Sequence, residues 1–336
     1  RFMECFNSEV LIIMMFISSL TMFMSGLVAN FEFDLKKIIA FSTLSQLGLM
    51  MSVLSLGEEV LGFFHLLMHA LFKALLFLCA GCMIHNLLDY QDIRFMGSLV
   101  LFMPVVSCFF NICNMALCGL PFLSGFYSKD LILEFMSMSY MNVYVYFIFY
   151  LSVGLTVTYS LRLFYYSMIG DFNLASYNFV SEADYYMLKG MSGLIFLVIV
   201  GGGAILWLIF PSFYFICLPM LMKIITLLVV MVGGLIGYVF SGASKIGYKV
   251  KNYFMIYFLM TMWNLQVLST LGVNYYFLWM GDKFYNKVDQ GWLEYFGSQN
   301  LFFNIKSSSD FLSDVFLSNL KFFLTLILIW LCFLFI

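Results

Sequence analysis

Residues 60–88 read VLGFFHLLMHALFKALLFLCAGCMIHNLL. A helix needs about 20 apolar residues to cross the hydrocarbon core of a bilayer, and this run is long enough. Within it His65, His69 and Lys73 recur at every fourth position. That spacing stacks them along one helix face, with about 6 Å of rise between neighbours. Ionisable groups at bilayer depth are costly, so a stripe of three is a candidate for function.

The rest of the chain has the same texture. Of 336 residues, 63% are hydrophobic and only 10% charged, where a soluble domain is nearer a quarter charged. Aromatics make up 20%, including 41 Phe. A globule of this size has no core large enough for so much apolar surface, so the excess faces lipid or other lipid-embedded chains. The expected fold class is all-α, a polytopic membrane protein. With 16 basic and 18 acidic residues, the net charge of -2 argues against an extended nucleic-acid footprint. Cys79 and Cys82 form a C-x-x-C inside an apolar helical run, with no second pair at zinc-ribbon spacing, so neither a metal nor a redox centre is expected there. Cys108, Cys113 and Cys118 read as small lipid- or helix-facing residues.

Outward from the histidine span, the hydropathy gives a first span near Val10–Ala29 and a second near Ile38–Leu56, ahead of the third at Val60–Leu88. Leu99–Met138 is too long for one straight span. Pro121, with Gly119 and Gly125 around it, points to a broken helix. A fifth span follows at Val143–Met168. The polar connection GDFNLASYNFVSEADYYMLKG (170–190) precedes a sixth near Leu194–Phe210, and a seventh covers Ile224–Phe240. From Ser244 to Asp314 charges and amides recur among large aromatics, as in an interfacial amphipathic helix. MIYFLMTMW (255–263) is a competing short span on hydropathy alone. The last span is Leu320–Ile336. Alternating crossings put Lys36, Lys37, Arg94, the Arg162–Lys189 segment and the Lys245–Lys251 segment on one face. The opposite face has Glu58 and Glu59 and little basic charge apart from Lys223. The positive-inside rule assigns the basic face to the matrix or cytoplasm.

Three clusters carry the chemistry. In the first, HxxxH resembles a pair of zinc ligands, but Leu66 follows His65 where a metalloprotease has Glu, and the Lys73 cation would repel a metal. A proton relay fits better, since imidazole titrates near neutrality and a desolvated amine releases its proton more readily than one in water. The plainer alternative has both histidines bonding neighbouring helices while Lys73 snorkels. The second cluster ends the fourth stretch, where Pro121 frees helix carbonyls and Lys129, Asp130 and Glu134 follow. Either this is a proton site at an unwound segment, or these are ordinary charged flanks at the membrane surface. The third is FEFDLKKIIAFSTLSQLGLM (31–50), in which Ser42, Thr43, Ser45 and Gln46 offer polar groups along a path inside the membrane, while Asp34, Lys36 and Lys37 read as solvated helix-start charges. Gly201–Gly203 is no phosphate loop, because no Lys-Ser/Thr follows; tight helix packing is expected.

These three runs, in this order, closely resemble the chain 5 family of mitochondrial NADH–ubiquinone oxidoreductase (respiratory complex I). That family is a branch of the antiporter-like subunits shared with multisubunit Na+/H+ antiporters. The motifs cover about Leu20–Glu134, and the hydropathy follows to the C-terminus. The resemblance implies two inverted five-helix repeats, each with a lysine on a broken helix. Residues 1–168 look like the second repeat, 169–243 like additional spans, 244–316 like a lateral amphipathic helix, and 317–336 like its C-terminal anchoring span. It implies a proton-transfer set of Lys73 (the central lysine), His65 and His69 (linking it onward), and Lys129 with Asp130 and Glu134 (the exit half-channel).

By the same resemblance, the chain serves in an H+-translocating NADH:ubiquinone reductase of the mitochondrial inner membrane without performing redox chemistry. NAD, FMN, iron–sulfur clusters and ubiquinone are used elsewhere in the complex, and no flavin, iron–sulfur or nucleotide motif occurs here. Its partners are neighbouring membrane-arm subunits, contacted through the lateral helix, and membrane lipids, with no nucleic acid. The family's first repeat has no counterpart in the sequence, and the first residue is Arg with no basic n-region or cleavage site nearby. A C-terminal part of the subunit, with about half of the proton path, is therefore expected. A Na+/H+ antiporter subunit with the same helices, and a non-catalytic brace of the membrane arm, are the alternatives.

Overall fold

The computed structural model describes residues 5–138, 143–174, 181–182, 185–212, 215–243 and 253–335. The described residues are overwhelmingly helical and contain no strand, only an isolated bridge between Asp34 and Asp92. They form two units, residues 1–264 and 265–336. Six helices are long and apolar enough to cross a membrane. The chain is an all-α polytopic membrane protein.

In the first unit α1 (Ser8–Phe31) and α2 (Leu35–Ser55) pack as a hairpin, and α3 (Glu59–Asn86) lies against α2. On α3, Phe63, Leu66, Phe77 and Leu78 are exposed, while Phe64, Met68, Phe72, Leu75 and Leu76 are in the core. The stripe carrying His65, His69 and Lys73 is also buried. In lipid the outer stripe is at no disadvantage, so the polar stripe decides which face turns inward.

The long fourth stretch is broken, as Pro121 and its glycines suggest. A short turn α4 (Leu99–Phe102) precedes α5 (Pro104–Cys118), whose first residue is a proline that needs no N–H partner there. Gly119, at φ +80°, ends α5 in the left-handed conformation, and Leu120 N–H bonds back to the Met115 carbonyl. Phe122 also takes a left-handed φ of 70°, and α6 (Ser124–Met138) starts afresh. α7 (Val143–Phe164) continues through a wide π-helical turn, Tyr165–Ile169. α8 (Tyr185–Ile209) begins a good two turns before the apolar run expected at Leu194, because polar Lys189 sits in its first turns while the backbone stays helical. It packs on α3 and α6, and α9 (Met220–Ala243) packs on α7. The glycine run on α8 is a packing device: a Cβ on Gly202 would come within 2.5 Å of Ser124 Cα, at the start of α6. α10 (Tyr253–Met260) closes the unit.

The charges assigned to one face of the membrane meet there. Leu35 N–H bonds the Gln91 carbonyl at 2.9 Å and Ile93 N–H the Phe33 carbonyl at 3.0 Å, so the segment after α3 is sewn to the α1–α2 turn. The Phe33 ring stacks with two guanidiniums, Arg94 at 4.3 Å and Arg162 at 4.9 Å. Arg162 is only 7% exposed and donates to the Asn30 carbonyl at the end of α1, where a cation suits the helix dipole. Lys37 pairs with Asp34 at 2.8 Å in the open, as solvated flanks should. Lys245, Lys249 and Lys251, assigned to the same face, lie outside the described residues.

The second unit is a run of helix: α11 (Leu265–Val267), α12 (Val273–Phe284) and α13 (Asn300–Ser318), joined by π-helical stretches at Leu268–Gly272, Tyr285–Leu293 and Tyr295–Gln299. At about 1.5 Å per residue the run is on the order of 80 Å long. Its local contacts are between residues one turn apart: Lys283 over the Trp279 ring at 3.4 Å, and Trp292 stacked on Phe296 at 5.4 Å. Asn319, in an extended conformation, separates it from α14 (Leu320–Leu334).

Candidate functional site

The inward stripe of α3 meets the polar run of α2 and the restart of the broken helix. Lys73, 4% exposed, donates from Nζ to Ser42 Oγ on α2. Two turns back, His65 is 1% exposed and held on both sides. Its Nε2 lies 3.2 Å from Gln46 Oε1 and its Nδ1 3.0 Å from Ser128 Oγ on α6. With Gln46 Oε1 as an acceptor, the neutral ring carries its proton on Nε2, so Nδ1 accepts from the Ser128 hydroxyl. His69 sits between them, its ring 6.3 Å from that of His65 and edge-on to Phe72 at 5.4 Å. Its buried Nε2 has no hydrogen-bond partner. Of the four polar residues read on α2, Ser42, Ser45 and Gln46 are buried, while Thr43 is only half-buried and, like Ser42 and Ser45, bonds a carbonyl of its own helix.

Ser128 leads directly into Lys129. That lysine is 3% exposed, so it is not itself a surface flank. Its Nζ donates to Thr156 Oγ1 on α7 at 2.8 Å and reaches the Leu117 carbonyl at 3.4 Å. The carbonyl is free because α5 ends there. The break thus supplies an acceptor at the depth where a buried ammonium needs one. Asp130 and Glu134 are half-buried and one turn apart, and Asp130 lies beside Thr226 of α9. Lys129, Asp130, Leu133, Val153 and Thr226 border one small cavity.

Ser128 and Thr156 are the partners that the sequence did not signal. A lone hydroxyl in an apolar helix ordinarily bonds its own backbone, as Thr156 also does through the Val153 carbonyl. Among the described residues no group of three or more His, Cys, Asp or Glu is placed to hold a metal ion. Cys79, Cys82, Cys113 and Cys118 are buried free thiols, and Cys108 is exposed. Outside the spans, on the basic face, burial raises the Glu32 carboxyl. Burial also works upward on Asp92, but the Arg94 side-chain and backbone hydrogen bonds and charge hold that carboxyl below the usual carboxylate range.

Groups with exchangeable protons therefore line the inside of the bundle, Ser42, Lys73, His69, His65, Ser128, Lys129 and Thr156 with Asp130 beyond, joined by hydrogen bonds at Ser42–Lys73, His65–Ser128 and Lys129–Thr156. Eight residues of α3 span about 12 Å of it. Each group donates or accepts without a redox change, so the arrangement suits proton transfer.

Residues 159–336 match the family model "NADH dehydrogenase subunit 5 C-terminus", and residues 1–158 match "NADH:quinone oxidoreductase/Mrp antiporter, TM". The chain is 52% identical over 319 residues to NADH-ubiquinone oxidoreductase chain 5 of Anopheles quadrimaculatus, covering 94% of this chain and 55% of that protein. It is 50% identical to the same protein of Locusta migratoria (96% and 57%) and 35% to that of Lumbricus terrestris (92% and 53%). The chain thus spans about half the length of these relatives. Among solved structures, a chain of the Mrp complex from Dietzia sp. DQ12-45-1b superposes with a TM-score of 0.57 at 18% identity, covering 78% of this chain and 31% of that one. A chain of an archaeal membrane-bound sulfane sulfur reductase superposes at 0.53 with 27% identity, covering 57% and 32%.

Proposed function

Because the chain belongs to the NADH dehydrogenase subunit 5 family, we propose that it is a proton-translocating membrane-arm subunit of respiratory complex I in the mitochondrial inner membrane. The observation that carries this reading is the buried line from Lys73 through His69 and His65 to Lys129, closed by Ser42 at one end and Thr156 at the other. In this reading residues 1–168 form one antiporter-like repeat, 169–243 further spans, 244–316 a lateral helix along neighbouring antiporter-like chains, and 317–336 its anchor. NAD, FMN, iron–sulfur clusters and ubiquinone are handled by other subunits, and lipid surrounds the exposed faces.

Electron transfer elsewhere in the complex shifts charge along the membrane arm. A cation arriving on Lys73 disfavours a second on the histidines beside it, so the proton moves towards Lys129. His65 suits the middle of that path, since a neutral imidazole held at Nε2 by Gln46 can take a proton on one ring nitrogen and give one up from the other, here at Nδ1 to or from the Ser128 side. Lys129 gives up its proton when the next charge approaches, and Asp130 is the adjacent acceptor.

Lys129→Ala in the reconstituted complex lowers the proton-to-electron ratio while electron transfer in the presence of uncoupler persists. Unchanged pumping would remove Lys129 from the path. The second family model also covers Mrp antiporters, which favours one other reading, a Na+/H+ antiporter subunit; sodium-dependent proton movement in the same vesicles would support it instead.

A further inference from the structure

The polar line does not end at Lys129. The cavity beside Lys129 and Asp130 has Leu133 in its wall, and a second small cavity, between α6 and α7, also has Leu133 in its wall together with Met136, Tyr146, Phe149 and Tyr150. The two therefore lie in series, with one leucine side chain between them. The second cavity is further along α6 and nearer the start of α7, so the series leads away from the Arg94–Phe33–Arg162 face and towards the opposite one. Tyr150 is 9% exposed, and its buried hydroxyl has no hydrogen-bond partner. It faces Tyr146 and Ser137 and is within electrostatic reach of Asp130. A buried phenol ordinarily finds a partner. Tyr146 is well placed to receive a proton, because its ring is 4.7 Å from that of Tyr150 and its own O–H is turned to Met222 Sδ at 3.4 Å, leaving its oxygen as an acceptor.

We propose that Leu133 and Tyr150 form the outward gate of the proton path, with Leu133 as an apolar plug between two cavities and Tyr150 as the hydroxyl that carries the proton beyond it. The proposal rests on the proton-translocating reading above. The Lys129 ammonium gives its proton to the Asp130 carboxylate and becomes the amine. When Leu133 turns aside, Asp130 passes that proton to a lone pair of the Tyr150 oxygen as the Tyr150 O–H proton leaves to the Tyr146 oxygen, and the half-buried Tyr146 releases its own O–H proton to water on the far side. Rotation about the Tyr150 C–O bond restores the starting state. No group is oxidised or reduced, and each donor regains its proton from the group behind it. With the plug in place, the apolar constriction stops protons returning down the gradient.

The test uses the whole complex in liposomes, with uncoupled NADH oxidation as the control for assembly. Tyr150→Phe keeps the ring and removes the carrier; a positioned proton-transfer group is worth about a hundredfold or more in rate. The expected result is a fall in the proton-to-electron ratio as large as that of Lys129→Ala, with uncoupled oxidation preserved and Tyr150→His restoring part of the loss. Leu133→Ala joins the cavities, so passive proton leak under an imposed pH gradient rises without NADH. Normal pumping in Tyr150→Phe alongside impaired pumping in Lys129→Ala overturns the gate and leaves the function standing. Normal pumping in both removes Lys129 as well as the gate from the path. If Tyr150→Phe fails to assemble, the leak of Leu133→Ala decides: a rise supports the gate, and an unchanged leak overturns it.

Discussion

Thr156 holds Lys129 in place. Its hydroxyl takes the 2.8 Å bond from Nζ, and among the described residues the other acceptor, the Leu117 carbonyl, is at 3.4 Å. Losing a partner costs a buried polar group about 1–3 kcal/mol, and a charged one more. Thr156→Val keeps the shape and removes the acceptor, so it lowers both the abundance of assembled complex on native gels and proton uptake per NADH. Thr156→Ser keeps both. Lys129 was legible as a candidate because a charge so soon after Pro121 stands out in apolar sequence. Its partner was not, because Thr156 is 27 residues away and nothing in VGLTVTYS distinguishes one hydroxyl from the next. His65 shows the same division. Its place in the stripe follows from a period of four, whereas its two partners come from helices that only packing brings to it.

At the scale of elements, the break between α5 and α6 depends on close approach. Hydropathy and Pro121 placed it correctly, and Gly119 ends α5 because only a residue free of a Cβ takes φ +80° without strain. The α8 contact divides the glycine run unequally. A Cβ on Gly202 would run into Ser124 Cα, a backbone atom that cannot turn away, while one on Gly203 meets nothing within 4 Å. Gly202→Ala is therefore expected to cost about 1–3 kcal/mol by overpacking, visible as a lower melting midpoint of the complex. Gly203→Ala is neutral or slightly stabilising, since alanine is the better helix former. Equal effects at the two positions would contradict this packing. The sequence showed that the run packs tightly but not which glycine bears the contact, because that depends on the rotation of α8 about its own axis.

Across the whole molecule, the basic face is closed by the Asp92–Arg94 pair and the two guanidiniums on Phe33. The Asp92 carboxyl titrates below its ordinary value in the folded chain. Its contribution is therefore present above the unfolded value of about 3.9 and is lost as pH falls through the folded one. Asp92→Asn is expected to destabilise the fold at pH 7 by the modest amount of a partly exposed pair, about 0.2–1 kcal/mol, seen as a lower melting midpoint. The gap from the parent narrows as pH drops below about 4; a gap independent of pH would assign the effect to packing instead. The class, six of the membrane-crossing helices, and the shared side of Arg94 and Arg162 were legible in the sequence, whereas the last expected span is a helix of only 15 residues, Leu320–Leu334. The legible features follow from hydrophobicity and spacing along one chain, and lipid enforces them residue by residue. The burial of Lys129, its bond to Thr156, the contact of Ser128 with His65, and the place of Leu133 in the walls of two cavities came from the packing alone. Apolar helices pack in lipid without a hydrophobic force to fix their rotation, so the facing of each side chain is set by contacts between distant segments.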